Sequence, residues 1–366
     1  MENQKNNTLK NAFKIAKKQL NTEKGFNGLV KNALEFMDES INQISSNPKY
    51  SLINFYTALE LFLKAKLLKE HWTLIIQRPE NASLSSFNGG NFQSVTLKDL
   101  LDRLKNICGV NLHKNTTDCF DDLRNHRNRL VHFYNNKYQL NSSKAIEMIV
   151  SEQCKAWYRL HKLITNDWQQ DFNEFIIQID TLNNNIHKHR CYLEAKFQEC
   201  VPEINKLKRK GNIVSKCPSC EFEAAINENI IGPVFSQKCI ICSNSLRFIQ
   251  TICNNCNQEV KLFDPQMENC PNCKYKITIS SLISEYSDSV SPKEALIESQ
   301  TASCNECRGY ETAAKVDDVW LCFSCLQTFK NYYQCEWCSQ NIVGEYKETY
   351  LNGCEHCDGL IGWDDD

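Results

Sequence analysis

Cysteine recurs as Cys-x-x-Cys eight times in the last 156 residues of this 366-residue chain, and no other feature restricts its folding as strongly. The pairs are Cys217/Cys220, Cys239/Cys242, Cys253/Cys256, Cys270/Cys273, Cys304/Cys307, Cys322/Cys325, Cys335/Cys338 and Cys354/Cys357. Two residues between cysteines make a tight knuckle that turns both sulfurs toward one ion, and two knuckles complete a tetrahedron. Sixteen thiolates therefore predict four four-cysteine sites holding about four structural Zn2+ ions, each site closed, without the open position that metal catalysis needs. The gaps joining successive pairs within a site, 18, 13, 14 and 15 residues, suit short hairpins.

A secreted disulfide scaffold would use cysteine as densely, but Met-Glu-Asn-Gln-Lys-Asn-Asn lacks the charged and apolar regions of a signal peptide. No run approaches the roughly 18 apolar residues of a membrane span. The expectation is a soluble cytoplasmic protein whose cysteine pairs are metal ligands in a reducing compartment, with no membrane partner. Charge divides the chain as cysteine does. Residues 1–210 carry 31 Lys+Arg against 22 Asp+Glu, and residues 211–366 carry 11 against 22, so the halves meet different partners.

The first half reads as helical. Val30, Leu34, Met37, Ile41 and Ile44 recur at steps of three and four, one stripe of an amphipathic helix. A second helix at about 50–70 sets Leu52, Phe55, Leu59, Phe62 and Leu63 on a broad apolar side that implies deep burial. Arg78 to Gln93 is rich in turn formers and predicts a loop. Thr96 and Asp99 form a capping-box pattern before Leu97, Leu100, Leu101, Leu104 and Ile107, and Gly109 is a stop signal. Between Gly109 and Pro202 there is neither glycine nor proline. A seam from Ile146 through Trp157, Trp168 and Phe175 to Ile186 predicts one very long helix or two end to end. It fits a bundle helix with a spacer or a dimerising coiled coil.

Within this region lies Arg127-Asn-Arg-Leu-Val-His132. Cleavage of RNA by its own 2′-hydroxyl needs a proton donor and acceptor and a cation on the developing phosphorane. His132 titrates near neutrality and Arg127 offers a donor fork to two phosphate oxygens, so this pair supplies both needs. Five residues apart on a helix, they differ by about 140° and flank a cleft rather than stack. Asn128, one turn before His132, would orient it or bind phosphate. Phe120, Leu123, Arg127, Leu130 and Tyr134 share one stripe, so Arg127 takes a place normally apolar and is expected to face a partner surface.

Here the sequence resembles the HEPN family, over residues 28–165, with Arg127, Asn128 and His132 matching its Arg-(polar)-x-x-x-His signature. The resemblance implies a small helical bundle, a metal-independent endoribonuclease leaving 2′,3′-cyclic phosphate, and a homodimer with both motifs lining one cleft. It also implies a role in bacterial toxin–antitoxin or anti-phage defence. Glu60 and Lys64 resemble polar positions near the family's cleft, although an exposed ion pair one turn apart is the simpler reading. Arg124, His126 and Arg129 would add phosphate contacts or form a solvated face.

The cysteine modules resemble zinc ribbons and treble-clef fingers. Val319 to Lys330 looks like a treble-clef knuckle running into a helix. Consecutive pairs sharing an ion and cross-bracing, as in RING- and FYVE-like domains, both fit the spacing. His356, inside the last knuckle, is a bystander because four sulfurs are already present. The acidic balance, deepened by about −2 per four-thiolate zinc centre, favours a protein trigger or regulator over phosphate for this half. Trp320, Tyr332, Tyr333, Trp337 and Trp363 would form that surface or a mini-core.

The expected architecture is a helical domain plus small metal-binding β units: a helical extension (1–27), a HEPN-like bundle (28–165) and a helical spacer ending in the basic run Lys206 to Lys210 (166–211). Two four-cysteine ribbons (212–279), a linker (280–302) and two ribbon or treble-clef units with an acidic tail (303–366) follow. The expected function is an endoribonuclease acting on an RNA substrate and controlled through the metal-bound tail. A non-catalytic adaptor and a zinc-ribbon nucleic-acid binder are the alternatives.

Overall fold

The computed structural model describes residues 2–132, 143–264, 269–287 and 301–361, with the side chains of residues 2–21, His132, Ser143 and Ala145 outside the description. The chain divides into two compact units at Val201/Pro202. Tyr134, Trp363 and the acidic tail lie outside the described residues.

The first unit is built around one helix. It contains α1 (Glu2–Gln43), α2 (Pro48–Glu70), α3 (Leu84–Asn88), α4 (Leu97–Asn106), α5 (Lys114–His132), α6 (Ser143–Lys162), α7 (Gln169–Phe172), α8 (Ile176–Ile186) and most of α9 (Arg190–Arg209). From Ser51 to Leu68 no residue of α2 is exposed, and α1, α4, α5 and α6 pack around it. A helix apolar on nearly all sides must be covered on all sides. The α1 stripe of Val30, Met37, Ile41 and Ile44 is buried against it, with Leu34 half-buried. Where α1, α2 and α6 meet, Gln153 Nε2 donates to Ser40 Oγ and Ser51 Oγ at 3.0 and 2.8 Å, satisfying polar groups enclosed in the core.

The Thr96 cap forms as expected, with its side chain accepting from the Asp99 amide, and Gly109 takes φ +68 beyond the end of α4. The turn-rich stretch before it is not wholly irregular, since Leu84–Asn88 closes one helical turn over Ser83. Arg103 holds its base, donating to the carbonyls of Leu74, Ile76 and Gln77 at 2.7, 2.7 and 2.9 Å.

The long apolar seam is not one helix. Leu163–Asp167 forms a π-turn, with the Trp168 amide bonded to the Leu163 carbonyl at 2.8 Å, and short turns follow before α8. Thr165 Oγ1 bonds back to the His161 carbonyl, a contact that bends helices. The bend turns Trp168, Phe172 and Phe175 into the same core as Phe26 and Phe62, with Phe172 5.3 Å from Phe26 and 6.2 Å from Phe62 between ring centroids. The seam therefore buries itself within one chain. Asn183 Oδ1 completes it, accepting from both Trp157 Nε1 and Tyr192 Oη at 3.2 Å.

The second unit opens on the last two turns of α9, whose Lys206, Lys208 and Arg209 lie at the negative end of the helix dipole. A five-stranded antiparallel meander follows: β1 (Ile213–Lys216), β2 (Glu223–Ile231), β3 (Val234–Cys239), β4 (Ser245–Ile252) and β5 (Glu259–Leu262). A second sheet has the order β10-β11-β6-β7-β8-β9, from β6 (Thr301–Cys304), β7 (Gly309–Val316), β8 (Val319–Cys322), β9 (Thr328–Phe329), β10 (Tyr332–Gln334) and β11 (Asn341–Val343), with β11 parallel to β6.

Two local expectations are corrected. The segment read as a linker from Ser280 begins with α10 (Ile279–Tyr286), capped by reciprocal Thr278 and Ser281 bonds. Its Leu282 and Ile283 join Val234, Ile249, Leu262, Val316, Leu321 and Phe323 in one core, so both cysteine groups share it. At the β2–β3 turn, Gly232 has φ +46, and a Cβ there would lie 2.8 Å from Val316, so only glycine admits this packing. The knuckle after Val319 leads into a strand, not a helix. Leu326 takes a left-handed turn at φ +60, and Thr328 and Phe329 then pair with Leu321 and Trp320. Trp320 and Tyr332, 5.0 Å apart, belong to the mini-core around Cys304, Cys307, Cys322 and Cys325.

Phe172→Ala should destabilise the protein by about 3–5 kcal/mol, because it empties an enclosed aromatic site. Equilibrium denaturation measures this, and a loss below about 1 kcal/mol would contradict the described core.

Candidate functional site

Arg127 faces inward as its stripe position predicts, but the surface it meets is the chain's own α2. Its guanidinium lies over the Tyr56 ring, 4.4 Å from the centroid. An arginine is accommodated at an otherwise apolar position because an aromatic face accepts a cation, an interaction worth about 0.5–2 kcal/mol. Tyr56 is buried, and its hydroxyl donates to Glu60 Oε1 at 2.8 Å. Burial, reinforced by the Glu60 charge, raises the Tyr56 phenol well above its usual range, so it remains a donor at neutral pH.

The chain of contacts continues along α2. Lys64 Nζ lies 3.4 Å from Glu60 Oε2 and donates to Ser94 Oγ at 3.1 Å. The Glu60–Lys64 pair is thus not the exposed one that spacing suggests, since the Lys64 side chain is 11% exposed and Glu60 21%. Arg127, Tyr56, Glu60, Lys64 and Ser94 form one polar run at the α2–α5 contact. Tyr56 and Ser94 escaped sequence reasoning: Tyr56 sits among core aliphatics, and Ser94 lies in a turn-rich segment. The only hint was the four-residue spacing Tyr56, Glu60, Lys64.

Asn128 is half-buried on α5. His132 closes the helix, and its side chain, like residues 133–142, lies outside the description. The flanking residues differ among themselves. Arg124 pairs with Asp121 at 3.2 Å and Arg129 is exposed, whereas His126 is buried with Nε2 2.6 Å from Glu152 Oε2 on α6. His126 therefore belongs to the helix–helix contact and not to a solvated face.

In the second unit the sixteen cysteines come together as four groups: Cys217, Cys220, Cys239, Cys242; Cys253, Cys256, Cys270, Cys273; Cys304, Cys307, Cys322, Cys325; and Cys335, Cys338, Cys354, Cys357. Consecutive pairs share a site, and cross-bracing is excluded. Strand register does this: Cys239 lies opposite Ala225 beside the first knuckle, and Cys322 lies opposite Ala313 on the strand next to β6.

The knuckles repeat one backbone design. In the first, the Glu221 amide returns to the Cys217 carbonyl and the Cys217 amide bonds to the Phe222 carbonyl, both at 2.9 Å. The residue after the second cysteine is left-handed at seven of the eight pairs: Glu221, Ser243, Asn257, Lys274, Arg308, Leu326 and Ser339. None of these is glycine, so each of these seven knuckles holds backbone strain that something must offset.

The sulfur spacing indicates what does. Within the first group Cys217 and Cys242 Sγ are 3.6 Å apart, as are Cys220 and Cys239; in the third, Cys304–Cys325 is 3.9 Å and Cys307–Cys322 is 3.7 Å. A disulfide requires about 2.05 Å, whereas sulfurs at the corners of a tetrahedron with metal–sulfur bonds of about 2.3 Å lie about 3.8 Å apart. The residues fit four tetrahedral ions, and a soft four-thiolate donor set is consistent with zinc. His356, next to the fourth group, adds no ligand, and its ring meets Tyr310 edge-on at 5.3 Å.

Serine substitution tests the grouping. Cys217→Ser with Cys239→Ser should remove one bound ion per chain by elemental analysis, and Cys217→Ser with Cys253→Ser should remove two. The reverse result would restore the cross-braced order.

Among the described residues no helix is long and apolar enough to cross a membrane. Compared with protein-family models, with curated proteins and with solved structures, the chain finds no match.

Proposed function

We propose that the chain is a HEPN-type endoribonuclease that cleaves RNA by attack of the 2′-hydroxyl on the adjacent phosphorus. Its four four-cysteine centres, in this reading, hold Zn2+ and carry the surface through which a protein trigger or regulator acts. The observation that supports it best is the setting of Arg127. A guanidinium held over a buried tyrosine, beside an enclosed Lys64–Glu60 pair, is a pre-aimed cation rather than a solvated surface charge.

In the proposed reaction His132 removes the 2′-hydroxyl proton, or delivers one to the 5′-oxygen that leaves. Arg127 donates to the equatorial oxygens of the phosphorane as its charge grows, and Asn128 orients His132 or the phosphate. The phosphorus–oxygen bond to the 5′-oxygen breaks, leaving a 2′,3′-cyclic phosphate and a 5′-hydroxyl. One motif supplies one histidine, and two protomers sharing a cleft would supply both an acid and a base, which is why a homodimer belongs to the proposal. A defence or toxin role, in the cytoplasm, follows from the resemblance.

Purified protein should cleave single-stranded RNA without added divalent metal and leave 2′,3′-cyclic ends. Arg127→Ala and His132→Ala should each lower the rate by about 10²–10⁴-fold with helicity and metal content unchanged. Undiminished cleavage by the double variant would exclude this site. The adaptor alternative predicts no cleavage by wild type and a stable complex with a partner protein that survives His132→Ala.

Tyr56 separates aiming from mere burial. Tyr56→Phe keeps the ring under Arg127 and should retain most of the activity, whereas Tyr56→Leu should lower kcat with less effect on KM. Equal activity for the Phe and Leu variants would show that the ring does not position Arg127.

A further inference from the structure

The meander of the second unit has two faces. Val234, Ile249, Val260 and Leu262 point into the shared core. Ser215, Asn227, Gln237, Phe248 and Lys261 stand on the opposite face by strand alternation and register. Beside the first cysteine group this face opens into a concavity of about 440 Å³ whose lining includes Ser215, Lys216, Glu221, Gln237, Lys261 and Phe263. Its size suits one small aromatic ligand or one nucleotide.

The wall contains a buried, interlocked polar group. Gln237 is 2% exposed, and its Nε2 donates to Ser215 Oγ at 2.9 Å and Asn227 Oδ1 at 3.0 Å. Asn227 Nδ2 also donates to Ser215 Oγ at 3.0 Å, so the three side chains lock one another. Gln237 Oε1 accepts nothing. A buried amide oxygen left without a donor costs free energy, so this interlocked polar wall is held rigid at some cost to stability. Phe263, 37% exposed, meets Phe248 at a tilt, 5.3 Å between centroids, and Phe235 stacks on the Phe248 ring at 5.6 Å. Lys261 Nζ lies 5.0 Å over the Phe248 ring at the same wall.

We infer that this concavity is a nucleotide-binding site for single-stranded RNA. The base stacks on Phe263, the ribose hydroxyls face Glu221, and Lys216 and Lys261 meet the adjoining phosphates. The choice of RNA over DNA rests on the nuclease reading above. Charge admits a phosphate here even though the cysteine half is acidic as a whole. Residues 211–287 carry 6 Lys+Arg against 7 Asp+Glu, and the excess lies in residues 288–366, with 5 against 15. Every base offers a π-face to Phe263, so the site reads no sequence and holds a strand instead of selecting one.

The test uses the full chain carrying His132→Ala, fluorescein-labelled oligouridine, and an abasic ribose-phosphate oligomer of the same length. Oligouridine should bind at least tenfold more tightly than the abasic oligomer, with log K falling against log salt at a slope of roughly −1.4 from two phosphate contacts. Phe263→Ala should weaken oligouridine binding about tenfold. Lys261→Ala should reduce the slope by about 0.7. Both variants should retain the parent's metal content, which reports that the modules fold. Equal affinity for the two oligomers, unchanged binding in both variants, or no binding by the parent chain overturns the site. Cleavage of a dinucleotide by the His132-containing chain is scored separately. A chain that cleaves nothing but binds in this pattern loses only the nuclease reading, and one that cleaves but binds identically in both variants loses only this site.

Discussion

Four thiolates within 4.8 Å of one another cannot remain charged together without a cation, and the second unit is arranged around that condition four times. Each group ties the ends of strands that have little else to hold them: β9 is two residues long, and β10 and β11 are three. Left-handed backbone at Glu221, Ser243 and their counterparts aims amides and sulfurs inward, at a strain cost that metal binding would offset. The core beneath is modest, with Val234, Ile249, Leu262, Leu282, Leu321 and Phe323 at its centre, so the sheets depend on the sulfur centres as larger domains depend on their interiors.

The helical unit solves the opposite problem. Its core is large, and the costly groups are those that must be polar inside it. The Gln153 amide nitrogen donates to both Ser40 and Ser51 where three helices meet, and Arg127 is accommodated by the face of Tyr56. The second arrangement differs in kind, because it leaves a half-buried cation at the edge of a packed helix pair, connected through Tyr56 and Glu60 to Lys64. A motif placed this way is held by residues that the motif itself does not contain.

Periodicity made the helices legible: the stripes of α1 and α4, the breadth of α2 and the Thr96 cap all stand in the residues themselves. What lay beyond it was local or long-range. A π-turn at Leu163–Asp167 keeps the three-and-four spacing of its apolar residues while changing the direction of the chain, so the seam reads as unbroken. The α10 helix hid in a serine-rich stretch although Thr278 and Ser281 spell its cap. Cys-x-x-Cys spacing picked out the sixteen cysteines that gather into four groups but not the grouping, which depends on which strands pair. Tyr56 was hidden by chemistry, since an aromatic among aliphatics signals core until the cation above it is seen.

X-ray absorption of the purified full chain at the metal edge, read together with elemental analysis, tests the organising role of the sulfur centres most directly. The account predicts four zinc ions per chain, each surrounded by four sulfurs at about 2.3 Å, with no nitrogen or oxygen in the inner shell. Nitrogen or oxygen ligands, fewer than four ions, or cysteines joined as disulfides in the folded protein would contradict it.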